Sequence, residues 1–264
     1  MKAITQNLCK LALFFSILVP VRSLADIKEQ TVQYRDQKQT LEGVLFYDDN
    51  RKDPMPAVLV VHDWMGISED TTMRARMLAE LGYVAFAADI YGKGIRPANS
   101  DEAGKLAGKF KSEPALMRSR VKAALNVLQN HALVDDARLA AIGYCFGGTV
   151  ALELARSGAP VAGVVSFHGG LATKSPEDAK NIKGRVLVLH GADDPLVPDT
   201  EVAAFEDEMR KGGVDWALIE YGNAVHSFTV KRAGNDNSKG AAYNEKADRR
   251  SWQHMKLFFA EILG

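Results

Sequence analysis

Gly143-Tyr144-Cys145-Phe146-Gly147-Gly148 follows an apolar run at 139–142 and leads directly into a helix-forming stretch at 149–156. A strand, a glycine-flanked sharp turn and a helix, in that order, lift the central side chain out of a sheet. They also aim the first N–H groups of the helix at it. The pattern is that of a nucleophile elbow, with a thiol where the GxSxG form carries a hydroxyl. It decides the fold, because such a turn needs a sheet strand on one side and a helix packed back against that sheet on the other.

Outward from the elbow, short continuous apolar runs at 57–61, 84–88, 161–167, 186–189 and 217–221 read as strands covered on both faces. Segments at 73–81, 115–129, 202–211 and 252–262 place apolar residues three and four apart and read as helices. Strand and helix alternate, which predicts an α/β fold, a mostly parallel central sheet with helices on both faces. Ligands of such sheets collect beyond the carboxyl ends of the strands. Ahead of the alternation, 31–34 and 41–47 flank a polar turn at 36–39 and read as an antiparallel N-terminal hairpin at a sheet edge. Val134-Asp135-Asp136 reads as a turn, and 235–240 as a surface loop. The segment 241–252 reads equally as a cover for the site or as a cap on the last helix. With no interdomain linker or internal repeat, residues 26–264 are expected to form a single domain.

Lys and Arg together number 33, as do Asp and Glu, so the formal net charge is zero. That balance argues against a nucleic-acid groove or an electrostatic membrane anchor and fits a small-molecule substrate. Residues 1–10 hold lysines and no acid, 11–21 are apolar, and Ser23, Leu24 and Ala25 precede Asp26. This is a secretory signal pattern, and its apolar run is well short of the ~20 residues of a spanning helix. Residues 1–25 are therefore expected to be a cleaved signal peptide. The mature chain is then periplasmic or secreted, with no stable membrane association, as a monomer or weak homodimer. Of the two cysteines, Cys9 falls in the signal, which leaves Cys145 without a disulfide partner in a compartment that permits disulfides. A buried inert thiol is the plainer alternative.

A free thiol titrates near ~8.5 and needs a base to react at neutral pH. Among six histidines, His131 and His254 read as surface or packing residues, whereas His62, His168, His190 and His226 each follow a predicted strand. Chain order separates these, because hydrolases of this architecture place the nucleophile first, an acid next and the histidine last. After Cys145 comes His190-Gly191-Ala192-Asp193-Asp194, then Gly222-Asn223-Ala224-Val225-His226-Ser227-Phe228. The order is Cys, Asp, His, with Asp193 and Asp194 both candidates for the acid.

From about Leu41 to the last helix the chain resembles the dienelactone hydrolase family within the α/β-hydrolase fold. The likeness rests on the elbow, Gly191-Ala192-Asp193-Asp194, Val197-Pro198 and His226-Ser227-Phe228. It implies Cys145 as nucleophile, Asp194 as orienting acid and His226 as base, with the backbone N–H groups of Phe146 and Trp64 as oxyanion donors. It also implies a carboxymethylenebutenolidase-like hydrolase of lactones and esters that works through a thioester, with no metal or organic cofactor. Close metal-ligand spacing of His and Asp is missing as well. Two departures stand out. Asp63 occupies the place of a glutamate that exchanges a proton with the thiol, so it is a candidate for thiol gating or simply a helix cap. Lys93 and Arg96 follow Asp89-Ile90-Tyr91-Gly92, where arginines hold a substrate carboxylate, and lysine offers a point charge rather than a planar fork. Lys231 and Arg232 read as solvated loop charge, and Trp64, Tyr91 and Phe228 as pocket or core aromatics. Competing functions are a periplasmic thiol redox protein acting through Cys145 and a non-catalytic binding protein on the same fold.

Overall fold

The computed structural model describes residues 26–264; the expected signal segment, 1–25, lies outside the described residues. Strands β1 (Ile27–Asp36) and β2 (Gln39–Asp48) form the N-terminal hairpin, paired antiparallel from Ile27 opposite Asp48 to Asp36 opposite Gln39. The sheet continues with β3 (Met55–Val61), β4 (Val84–Ala88), β5 (Val134–Tyr144), β6 (Gly163–Phe167), β7 (Arg185–Gly191) and β8 (Trp216–Tyr221). Its order is β1-β2-β4-β3-β5-β6-β7-β8, with β2 antiparallel to β4 and every later pairing parallel. This is the expected α/β-hydrolase architecture, with the hairpin supplying one edge.

Among the described residues six α-helices accompany the sheet: α1 (Glu69–Glu80), α2 (Ser100–Ser112), α3 (Pro114–Gln129), α4 (Phe146–Arg156), α5 (Asp199–Gly212) and α6 (Glu245–Leu263). Successive strand residues point to opposite faces, so the continuous apolar runs divide between two cores. Leu59, Val61 and Phe86 pack with Val121 and Leu125 of α3, Val150 and Leu154 of α4 and Phe205 of α5. Val58, Val60 and Ala85 pack with Leu78 of α1 and with Trp252, Met255 and Phe259 of α6. Burial on both faces is why these strands lack polar alternation.

Of the polar ties that cross this packing, that of Arg156 is the most deeply buried. Arg156, fully buried at the end of α4, donates to Glu208 of α5 at 2.8 and 2.7 Å, to Glu153 at 3.1 Å and to the Leu171 carbonyl at 2.8 Å. A buried guanidinium is tolerated there because nearly every donor meets an acceptor.

Two elements differ from expectation. Val134-Asp135-Asp136 is the start of β5 rather than a turn; Val134 pairs with Met55 before an irregularity shifts the register to Ala57 and Leu139. Helix α2 was not anticipated: Ala103, Leu106, Ala107 and Phe110 keep helical spacing, but two of the four are alanines, and Gly104 and Gly108 lower the helix propensity of the stretch.

Candidate active site

Cys145 sits between β5 and α4 with φ 54° and ψ −114°, a conformation that L-residues avoid. The glycines around it are steric necessities. A Cβ on Gly143 would lie 1.9 Å from the Gly147 carbonyl oxygen, and one on Gly147 would lie 2.4 Å from that of Val61. The first turn of α4 thus presses directly on the end of β3. As the first residue of that helix, Phe146 has an N–H with no intrahelical acceptor.

His226, in the connection after β8, holds the thiol and a carboxylate on its two ring nitrogens. Nε2 lies 3.0 Å from Cys145 Sγ, and Nδ1–H donates to Asp194 Oδ2 at 2.8 Å. The other Asp194 oxygen accepts from the Leu196 N–H at 2.8 Å. Asp194 is buried, whereas Asp193 is exposed, so the structure brings Asp194 to the imidazole. The backbone around His226 is bracketed: its N–H donates to the Gly240 carbonyl at 3.2 Å and its carbonyl accepts from Ala242 at 3.0 Å. Burial pulls the imidazole toward its neutral form, but the bonds to Asp194 and Cys145 outweigh it and push the pKa up to about 10.

The loop after β3 is fixed at both of its leading peptides. His62 Nδ1 lies 2.6 Å from the Asp63 carbonyl oxygen, its Nε2 accepts from the Ile90 N–H at 3.2 Å, and the Tyr91 hydroxyl donates to the Trp64 carbonyl at 2.9 Å. Trp64 and Phe146 line the same cavity, and Cys145 and His226 open into it. That cavity holds about 380 Å³ and is mainly apolar, walled by Leu196, Val197 and the Gly104, Ala107 and Gly108 face of α2. Lys111, exposed at the rim, is shared with an adjoining cleft of about 290 Å³ that also contains Lys174 and Glu201.

Several expected site residues are placed elsewhere. Asp63 turns from the thiol: one oxygen accepts from the Met65 N–H at 2.8 Å and the other is ion-paired with Arg232. Arg232, read as solvated charge, therefore has defined partners, since it also meets Asp70 at 2.6 Å. Lys93 pairs with Glu42 at 2.9 Å, and Arg96 donates to the Ile95 carbonyl at 2.7 Å and stands 3.5 Å from Asp89. Neither basic side chain lines the cavity, because each finds an acid on or near the hairpin. Phe228 is wholly buried between Tyr221 and His168, a core residue, and Tyr91 stands behind the cavity wall, bonded to the Trp64 carbonyl and packed on Phe146. Among the described residues no group of three or more His, Cys, Asp or Glu is arranged to hold a metal ion, and no helix is long and apolar enough to cross a membrane.

The dienelactone hydrolase family model matches residues 41–263. The solved structure of m3DLH superposes with a TM-score of 0.87 at 41% identity, covering 90% of this chain and 99% of its own. A dienelactone hydrolase-like promiscuous phosphotriesterase, P91 from metagenomic libraries, gives 0.86 at 40% identity, again covering 90% and 99%. The Aquifex aeolicus protein named "Putative carboxymethylenebutenolidase" is 26% identical over 212 residues, which is 79% of this chain and 89% of that one. With the elbow at Cys145, the eight-stranded sheet and a match across nearly all the described residues, the chain belongs to the dienelactone hydrolase family.

Proposed function

We propose that this hydrolase cleaves small, mainly apolar carboxylic esters and lactones through a thioester on Cys145, as an exported enzyme. The observation that carries the reading is the Sγ to Nε2 separation of 3.0 Å with Nδ1 bonded to Asp194 at 2.8 Å. His226 takes the thiol proton while Asp194 fixes its tautomer and stabilises the imidazolium. The thiolate attacks the ester carbonyl carbon, and the oxyanion is received by the N–H groups of Phe146 and Trp64. Each such donor is worth about 3 kcal/mol in the transition state. His226 then protonates the leaving alkoxide as the C–O bond breaks. In the second half it takes a proton from water, the hydroxide attacks the thioester carbon, and the sulfur departs with the acid released.

The substrate class follows from what the basic side chains are doing. Lys93, Arg96 and Arg232 each face a carboxylate of the chain itself, which leaves Lys111 at the rim as the cation of the cavity wall. An apolar acyl group therefore suits the cavity, and a substrate carboxylate is not required.

Purified protein is expected to hydrolyse p-nitrophenyl acetate and butyrate, and Cys145→Ala and His226→Ala each to lower kcat/KM by about 10³ or more. Turnover that survives both substitutions would remove the assignment. Export rests on the pattern in 1–25, and an uncleaved chain in the cytoplasmic fraction would remove that part alone.

A further inference from the structure

Among the polar side chains outside the Cys145, His226 and Asp194 group, His168 is bonded to both of the segments that must meet. It follows β6 with a positive φ of 41° and has no exposed surface. Its Nδ1 accepts the backbone N–H of Cys145 at 3.2 Å, and its Nε2 lies 2.8 Å from the hydroxyl of Thr229. Thr229 stands three residues after His226 in the same loop, and its carbonyl accepts from Arg74 at 3.3 Å. Arg74 is anchored in turn by Asp248 at 2.6 Å.

The two bonds fix the state of the ring. A lone pair on Nδ1 is needed for the Cys145 N–H, so the hydrogen is on Nε2 and is donated to Thr229. Only a neutral imidazole does both. Burial, and after it the neighbouring His226, hold the His168 pKa well below its ordinary value, so the ring stays neutral while His226 carries charge. The Cys145 N–H has a second acceptor, the Phe167 carbonyl at 3.0 Å. Satisfying that N–H therefore does not require His168, and a phenyl ring of similar shape would fill the space without joining the two segments.

We propose that His168 is a positioning residue that, through Thr229, rivets the turn carrying the thiol to the loop carrying the imidazole and so sets the Sγ to Nε2 separation. This rests on the reading that Cys145 and His226 carry ester cleavage. The decisive variant is Thr229→Val, which removes the acceptor at nearly constant volume and leaves His168 and all three reacting side chains in place. Its kcat for p-nitrophenyl acetate is expected to fall about tenfold to a hundredfold with little change in KM, because misplacement by a fraction of an ångström to an ångström costs on that order. Thr229→Ser keeps the hydroxyl and recovers most of the loss.

A second readout needs no ester. The alkylation rate of Cys145 by iodoacetamide, followed by mass spectrometry across pH, falls in Thr229→Val at neutral pH toward that of a free thiol and recovers in Thr229→Ser. His168→Phe, where it folds, behaves as Thr229→Val does. Thr229→Val with kcat and alkylation profile matching wild type overturns the proposal, and so does a loss that Thr229→Ser fails to recover, since that marks packing alone. If the wild-type protein hydrolyses no ester, the functional reading fails, while the alkylation comparison still decides the positioning claim.

Discussion

Cys145 occupies a backbone conformation that costs on the order of 1–3 kcal/mol for an L-residue and persists only where the surroundings over-determine it. Gly143, Gly147 and the end of β3 do so here, and the reward is a thiol held against His226. That pairing has a titration signature. With its pKa up from 6.5 to about 10, the imidazolium of His226 contributes stability that is fully present below pH 6.5 and is lost as pH rises through about 10. Denaturation with urea across that window should show wild type losing stability relative to His226→Gln. In Cys145→Ala one of the raising partners is gone while burial remains, so NMR should find His226 titrating at lower pH; an unmoved titration would mean the pair is not maintained in solution. The convergence of Cys145, His226 and one of two aspartates was legible because each follows an apolar strand in a diagnostic chain order, whereas the choice of Asp194 over Asp193 followed only from the family resemblance. Arg232 was not, since its partner Asp63 is 169 residues away and no local pattern joins them. The fates of Lys93 and Arg96 were equally hidden, because they depend on acids elsewhere in the chain, such as Glu42 of the hairpin.

Helix α2 shows what element-level reading overlooks. Its start carries a good signal: Asn99 accepts from the Glu102 N–H at 3.0 Å, and the Glu102 carboxylate accepts from the Ala98 N–H at 2.9 Å. The stripe that follows keeps its spacing but is built largely of alanine, and beside it stand Gly104 and Gly108, poor helix formers that face the cavity. A Cβ at Gly108 meets nothing within 4 Å. Gly108→Ala should therefore raise helix stability by about 0.5–1 kcal/mol while its methyl narrows the acyl space. Thermal unfolding should rise, and kcat/KM for p-nitrophenyl butyrate should fall relative to the acetate. An unchanged ratio would show that α2 does not border the acyl group.

At the scale of the molecule, Cys145, Asp194 and His226 stand beyond the ends of β5, β7 and β8, and Trp64 in the loop beyond the end of β3, all at one rim of the sheet. This convergence was readable from the strand–helix alternation, because parallel strands share a carboxyl edge. The ties that keep the layers in register were not, and Arg156 is the clearest of them. Arg156→Met would strand Glu208 in the interior and leave Glu153 with Arg118 alone, at 2.8 Å. Removing one partner of a buried pair costs about 3–5 kcal/mol, which urea unfolding should register; a loss below 1 kcal/mol, about that of an exposed pair, would mean that water reaches the cluster.

The bracketing of His226 by Gly240 and Ala242 has a bearing on speed. A histidine on a free loop would have to find its orientation anew at every encounter with substrate. Here the loss of rotational freedom is incurred once, during folding, so under the proposed mechanism the pair would meet each ester already aligned and the entropic part of the barrier would be correspondingly smaller.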